Sequence, residues 1–118
     1  MIKHFSKWAS KQNLPKIELF KALVEITEGN FDATLGSNLY KKRIRFSGQG
    51  KTGSGRTIIC YKKEDRAIFI YGFSKNEKSN LSKKEFYAFK ELSKILLNLS
   101  LKELKTAIDN GDLIEVKL

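Results

Sequence analysis

Lys41, Arg43 and Arg45 alternate along one short stretch, each separated from the next by a single residue. In an extended segment that spacing puts all three on one face, because successive side chains point to opposite sides. Four more cations stand beyond them. Lys51 lies in a glycine-rich stretch and Arg56 just after it, while Lys75 and Lys78 follow a later apolar run. Such groups are suited to holding phosphate. Arginine offers a planar fork of donors, and lysine a compact charge whose pKa falls when like charges crowd it. A cluster of them binds a polyanion, and a lysine among them that loses its proton is able to act as a base on a phosphodiester.

The charge is also concentrated. The chain carries 23 Lys and Arg against 13 Asp and Glu, a net of +10. Between Leu39 and Lys83 stand 12 basic and 3 acidic residues, a net of 12 − 3 = +9, so the remainder of the chain is close to neutral. One sign gathered in one region raises the local potential and favours a polyanionic partner, with a solvated, solubilising surface as the alternative. RNA is the best candidate.

Other chemistries fall away. His4 is the only histidine and Cys60 the only cysteine, which excludes a Cys/His zinc site, a pair of histidines as acid and base, and an internal disulfide. No metal and no cofactor is expected. The stretch Gly48-Gln49-Gly50-Lys51-Thr52-Gly53 matches G-x-G-x-x-G, but that motif needs a helix directly behind it to receive a pyrophosphate, and here a β-branched run follows. A P-loop fails likewise, since Arg45 stands where its first glycine belongs. No run reaches the roughly 18 apolar residues of a membrane span, and residues 1–8 lack the apolar core of a secretory signal. A cytoplasmic protein without a membrane partner is expected.

The elements that must position the cations follow from periodicity. Phe5, Trp8 and Ala9 lie at helical spacing, and Asn13-Leu14-Pro15 ends that helix, with Pro15 opening a second. In the second helix Ile17, Phe20, Leu23, Val24 and Thr27 form one face, expected to turn inward, and Gly29-Asn30 ends it. Leu39 to Phe46 reads as a strand, and residues 47–55, with four glycines in nine, as a loop. Arg56 to Lys62 and Arg66 to Phe73 form a hairpin about Lys63-Glu64-Asp65. Ser82 with Glu85, and Ser100 with Glu103, are capping boxes that open two further helices. The first of these carries Phe86, Phe89, Leu92, Ile95, Leu96 and Leu99 on its apolar face, and Leu113 to Val116 offers a further edge strand. Trp8, Phe20, Phe86 and Phe89 read as core. The expectation is one α+β domain over residues 1–118, with an antiparallel sheet of three to four strands between N-terminal and C-terminal helices. In such a meander, six or seven of the cations converge on one surface.

These segments resemble the RelE-like toxins of type II toxin–antitoxin systems, close to the HigB-type branch. The matching stretches are Phe31-Asp32-Ala33, Leu39 to Arg43, Gly48 to Lys51, Arg56 to Ile59, Asp65-Arg66-Ala67, Tyr71 to Lys78 and Leu113 to Val116. They cover nearly the whole chain in order. The resemblance implies a microbial-ribonuclease-like fold that enters the ribosomal A site and cuts mRNA during translation, with a cognate antitoxin as partner. It implies a metal-independent attack by the 2′-OH, with sheet lysines and arginines around the scissile phosphate. By position it makes Lys41, Arg43, Arg56 and the stretch holding Lys75 and Lys78 catalytic; the cationic cluster adds Lys51, and Lys42, Arg45 and Asn76 are expected as RNA contacts. Two departures leave the proton carriers open. Arg43 stands where relatives place a general-base lysine, and arginine does not give up its proton. Asn76 and Ser82 stand where relatives place an arginine and a tyrosine. Lys41 or Lys51 is then the base, and Lys75 or Lys78 the acid. A gyrase-poisoning toxin of the same superfamily, and a binding module without catalysis, are the competing readings.

Overall fold

Two helices precede the sheet. In the computed structural model, which describes residues 1–45, 54–74, 77, 78 and 80–117, α1 runs over Lys3–Lys11 and α2 over Lys16–Thr27. Pro15 is the N-cap of α2, in extended backbone, so its ring removes no helical hydrogen bond. Gly29, at φ 82°, turns the chain out of the helix in the left-handed region that glycine enters freely.

Four antiparallel strands follow: β1 (Ala33–Gly36), β2 (Leu39–Arg45), β3 (Ser54–Lys62) and β4 (Arg66–Ser74), adjacent in chain order. The fourth strand is therefore β1, from a segment where no strand was expected, and not Leu113 to Val116. The turn after β1 is a tight one: Ser37 and Asn38 both take positive φ, 52° and 63°, the pairing that two-residue type I′ hairpins require. Leu113 to Val116 forms no strand of the sheet. Leu113 makes an isolated bridge to Ile2, and the Ile114 N–H donates to the Met1 carbonyl at 2.8 Å. Residues 1 and 2 stand between it and β4, since the Ile2 N–H donates to the Phe69 carbonyl.

Helices cover both faces of the sheet. On one, Phe5 and Ala9 of α1 and Leu19, Ala22 and Ile26 of α2 bury against Ile44, Ile59 and Phe69. On the other, Leu39, Ile58, Cys60, Ile68, Ile70 and Phe73 meet Leu96 and Leu97 of α3 (Lys83–Asn98). Leu104, Ala107 and Ile108 of α4 (Leu101–Asp109) pack against that second cluster. Both capping boxes form as expected, at Ser82 with Glu85 and at Ser100 with Glu103. This is the α+β arrangement foreseen.

The orientation of α2 corrects the sequence reading. Ile17, Phe20 and Val24 are 53%, 38% and 41% exposed, and the buried stripe is Leu19, Ala22 and Ile26. Both stripes have helical spacing, so periodicity alone favours neither. The observed one carries the small Ala22 and brings Glu25 to the buried Lys42, which would otherwise have no counter-charge. A smaller shift holds for α3, where Ser93 is buried and donates to the Ser37 carbonyl, while Ile95 is exposed. Trp8 and Phe89 are half-buried at the margins of the two clusters, and Phe86 is half-buried beside a surface groove.

Gly72 shows how closely α1 lies on β4. A Cβ there would fall 2.3 Å from two Trp8 ring atoms, well inside contact distance, so the indole takes the space a side chain would fill.

Candidate nucleic-acid interface

Strand register assembles the cations. Across β2, β3 and β4, Lys41 pairs with Ile58 and Ile58 with Tyr71; the next row is Arg43, Arg56 and Phe73. Directly paired residues share a face. The apolar members of these rows belong to the cluster under α3, so Lys41, Arg43 and Arg56 lie on that same face. Arg45, paired with Ser54, continues it outward. Arg43 and Arg45 are exposed, and Lys41 and Arg56 half-buried. One face thus runs from an apolar half under α3 to a cationic half.

Arg43 and Arg56 stand directly opposite one another, an arrangement that repels. Asp32, just ahead of β1, supplies the counter-charge. Its Oδ2 lies 3.1 Å from Arg56 Nε, and its Oδ1 accepts from the Arg43 backbone N–H at 3.3 Å. Asp32 and β3 flank opposite sides of β2, so the Arg56 side chain spans that strand to reach its partner.

Lys78 joins the face from β4's far end. Its ammonium lies 5.3 Å from the Tyr71 ring centroid and 6.0 Å from that of Phe73, and donates to the Tyr71 hydroxyl at 3.4 Å. Glu85 Oε2 accepts from it at 2.5 Å, while Oε1 accepts from the Ser82 backbone N–H in the capping box. The Glu85 contact raises the Lys78 pKa. In turn the ammonium, aided by the Ser82 N–H, holds the Glu85 carboxyl at about 2. His4 of α1 lies parallel to Tyr71 with centroids 6.5 Å apart.

The expected residues therefore divide. Lys41, Arg43, Arg45, Arg56 and Lys78 share one face. Lys42 does not join them: it is 6% exposed, on the opposite side of the sheet, with Nζ 3.4 Å from Glu25 of α2. Alternation along the strand dictates this, and the expectation of an RNA contact there is corrected accordingly. Lys51, Lys75 and Asn76, with residues 46–53 as a whole, lie outside the described residues, while Ser54 and Gly55, expected in the loop, belong to β3.

Three residues of the site had no assigned role in the sequence reading. Tyr71 and Asp32 stood only within matching stretches, and Glu85 only as a helix cap. For Asp32 the available signal was its being the only acid between Glu28 and Glu64, in a stretch that holds the cationic strand. For Glu85 it was a lysine seven residues earlier, too far in sequence to suggest a contact. Among the described residues no three His, Cys, Asp or Glu gather as a metal site would require, and none of their helices is long and apolar enough to cross a membrane. Burial pushes the Cys60 thiol up to about 11, which leaves it protonated and unreactive.

The face offers arginine donors, of which Arg56 is held by Asp32, and a lysine beside aromatic rings, the groups that grip phosphate and base in a nucleic acid. Fold and face together define a small α+β protein with a four-stranded sheet, cationic at one end. The sequence model of one protein family, described as the RelE toxin of the RelE / RelB toxin–antitoxin system, matches residues 1–116, and the chain belongs to that family. It is thus a toxin of a toxin–antitoxin system, and a cognate antitoxin is its implied partner. No curated protein and no solved structure matches it.

Proposed function

We propose that this toxin is an endoribonuclease that enters the ribosomal A site, cuts mRNA there and so stops translation in the cytoplasm. The observation that carries the reading is the row of Lys41, Arg43 and Arg56 on one sheet face, in a chain whose excess charge lies almost wholly between Leu39 and Lys83.

The reaction asks little of the protein. The 2′-oxygen of the nucleotide at the cut attacks the adjoining phosphorus and loses its proton to a base. The P–O5′ bond breaks, and the departing 5′-oxygen takes a proton from an acid. A 2′,3′-cyclic phosphate and a free 5′-OH result. Charge grows on the non-bridging oxygens during this step, and Arg43 and Arg56 offset it. Lys41 or Lys51 serves as base. Lys75 or Lys78 serves as the acid, and for Lys78 that role works against the Glu85 contact, which raises its pKa. Arg45 and Asn76 hold flanking RNA. The ribosome supplies much of the alignment, which is worth several kcal/mol when reactants are held in near-attack geometry. An antitoxin that places acidic residues on the cationic face blocks RNA by occupying the same charges.

Mapping of 5′ ends on one message, translated and untranslated, after brief expression of the toxin tests this. Codon-phased cuts in the translated copy alone are expected. Cuts in both copies make the protein a free ribonuclease. Arrested growth with intact message makes it a gyrase poison or a binding-only toxin.

A further inference from the structure

Asp32 is an acid set among the cations of a surface read as binding RNA, where simple electrostatics would disfavour it. Its attachment is unusually complete. The backbone N–H donates to the Lys41 carbonyl at 2.8 Å, Oδ1 takes the Arg43 N–H at 3.3 Å, and Oδ2 meets Arg56 Nε at 3.1 Å. The carboxylate is thus fixed to β2 by main-chain contacts and holds an arginine that arrives from β3.

We propose that Asp32 is a positioning residue of the cleavage site: by binding Arg56 through Nε it holds the guanidinium so that its terminal nitrogens face the scissile phosphate. This rests on the cleavage reading above. A guanidinium has five N–H donors in a rigid plane. With Nε engaged by carboxylate, the Nη edge is left for phosphoryl oxygens, and the plane no longer rotates about the side chain. Of the described contacts at Nη, the Gly55 carbonyl at 3.5 Å is long and weak. The Arg56 and Asp32 side chains keep 21% and 31% of their exposure, so the pair stays within reach of a ligand. The Lys42–Glu25 pair differs on this point, since its lysine is buried at 7% side-chain exposure and its role ends with the fold.

The proposal separates binding from turnover. Asp32→Asn keeps the shape and removes a negative charge, so RNA should bind as tightly as before or more tightly. A loosened Arg56 should nonetheless slow the chemical step.

The experiment is single-turnover cleavage of message on programmed ribosomes, using the full chain as wild type, Asp32→Asn, Arg56→Ala and the double variant, below the melting point of each. Asp32→Asn should lower the saturating rate by about 10- to 100-fold, the range a misaligned group costs. The half-saturating toxin concentration should stay equal or fall. The double variant should be no slower than Arg56→Ala, because the carboxylate acts only through that arginine. An unchanged rate for Asp32→Asn overturns the proposal, as do multiplied losses in the double variant. A faster Asp32→Asn overturns it too, making the carboxylate a competitor of phosphate. Should Asp32→Asn not fold, Asp32→Glu replaces it: a carboxylate displaced by one methylene should slow the saturating rate without weakening half-saturation, and an unaltered rate overturns the idea. If wild type leaves the message uncut while arresting growth, the cleavage reading itself fails and this inference with it. If wild type cuts and only the Asp32 results disagree, the failure is confined to Asp32.

Discussion

Lys78 and Glu85 are joined at 2.5 Å through an oxygen of the same carboxylate that caps α3. The helix start and the placement of the Lys78 ammonium therefore depend on one side chain. Glu85→Ala should lose the Lys78 pair and the Glu85 half of the capping box, and cost about 0.3–1.5 kcal/mol, the range of a single helix-end interaction. Glu85→Gln, which still suits a capping box, should cost less. The carboxyl sits at about 2 in the folded chain against an ordinary 4.5. A depressed carboxyl contributes stability that is complete above 4.5 and lost as the pH falls toward 2. The urea midpoint of wild type should exceed that of Glu85→Gln at pH 6, and the two should converge between pH 4.5 and 2. A gap that stays constant across that range would show that the ion pair adds nothing.

Arg43 and Arg56 face each other across β2 and β3, where a phosphate can bridge both. Reversing both to Glu should reduce cleavage by at least about 100-fold, since loss of one donor at a developing oxyanion costs that much. Circular dichroism should stay unchanged. Full toxicity in the folded double variant would move the active site elsewhere.

Lys42 has the opposite profile. Lys42→Met should keep near-wild-type cleavage and stability, because the Glu25 left behind is 32% exposed and water can solvate its charge, so no buried charge is stranded. Glu25→Ala strands the Lys42 ammonium and should cost about 1–3 kcal/mol in urea unfolding. Loss of cleavage in a stable Lys42→Met protein would return Lys42 to the list of RNA contacts.

The two faces of α2 can be compared directly. Leu19 is 2% exposed and Phe20 38%. Leu19→Ala should cost about 2–5 kcal/mol, as buried leucines do, and Phe20→Ala less than half of that. Equal losses would mean that the outer stripe is covered in solution.

Gly72→Ala puts a methyl group into the Trp8 ring. Overpacking of this kind costs about 1–3 kcal/mol, and the melting temperature should fall by several degrees. Trp8→Leu in the same background should recover part of the loss by vacating that space.

Much of this protein was decided locally and could be read in order. Alternation puts Lys41, Arg43 and Arg45 on one side of a strand and Lys42 on the other. A serine with a glutamate three residues on starts a helix at Ser82 and again at Ser100. The concentration of charge between Leu39 and Lys83 is a property of the sequence itself. These features depend on periods of two to four residues, which backbone geometry imposes before any tertiary contact forms.

What remained belongs to contacts between distant segments. The choice between the two apolar stripes of α2 turned on whether Ala22 or Phe20 met the sheet, and on whether Glu25 found Lys42. Leu113 to Val116 has strand-like composition but pairs with residues 1 and 2, a partner that composition does not specify. Arg56 meets Asp32 only because β2 lies between their segments in one register. A one-residue slip would send every side chain of that strand to the other face and separate the pair. The sequence determined that a cationic face exists; the tertiary structure decided which acids restrain its cations, since restraint requires approach to within hydrogen-bond distance and only packing brings these residues that close.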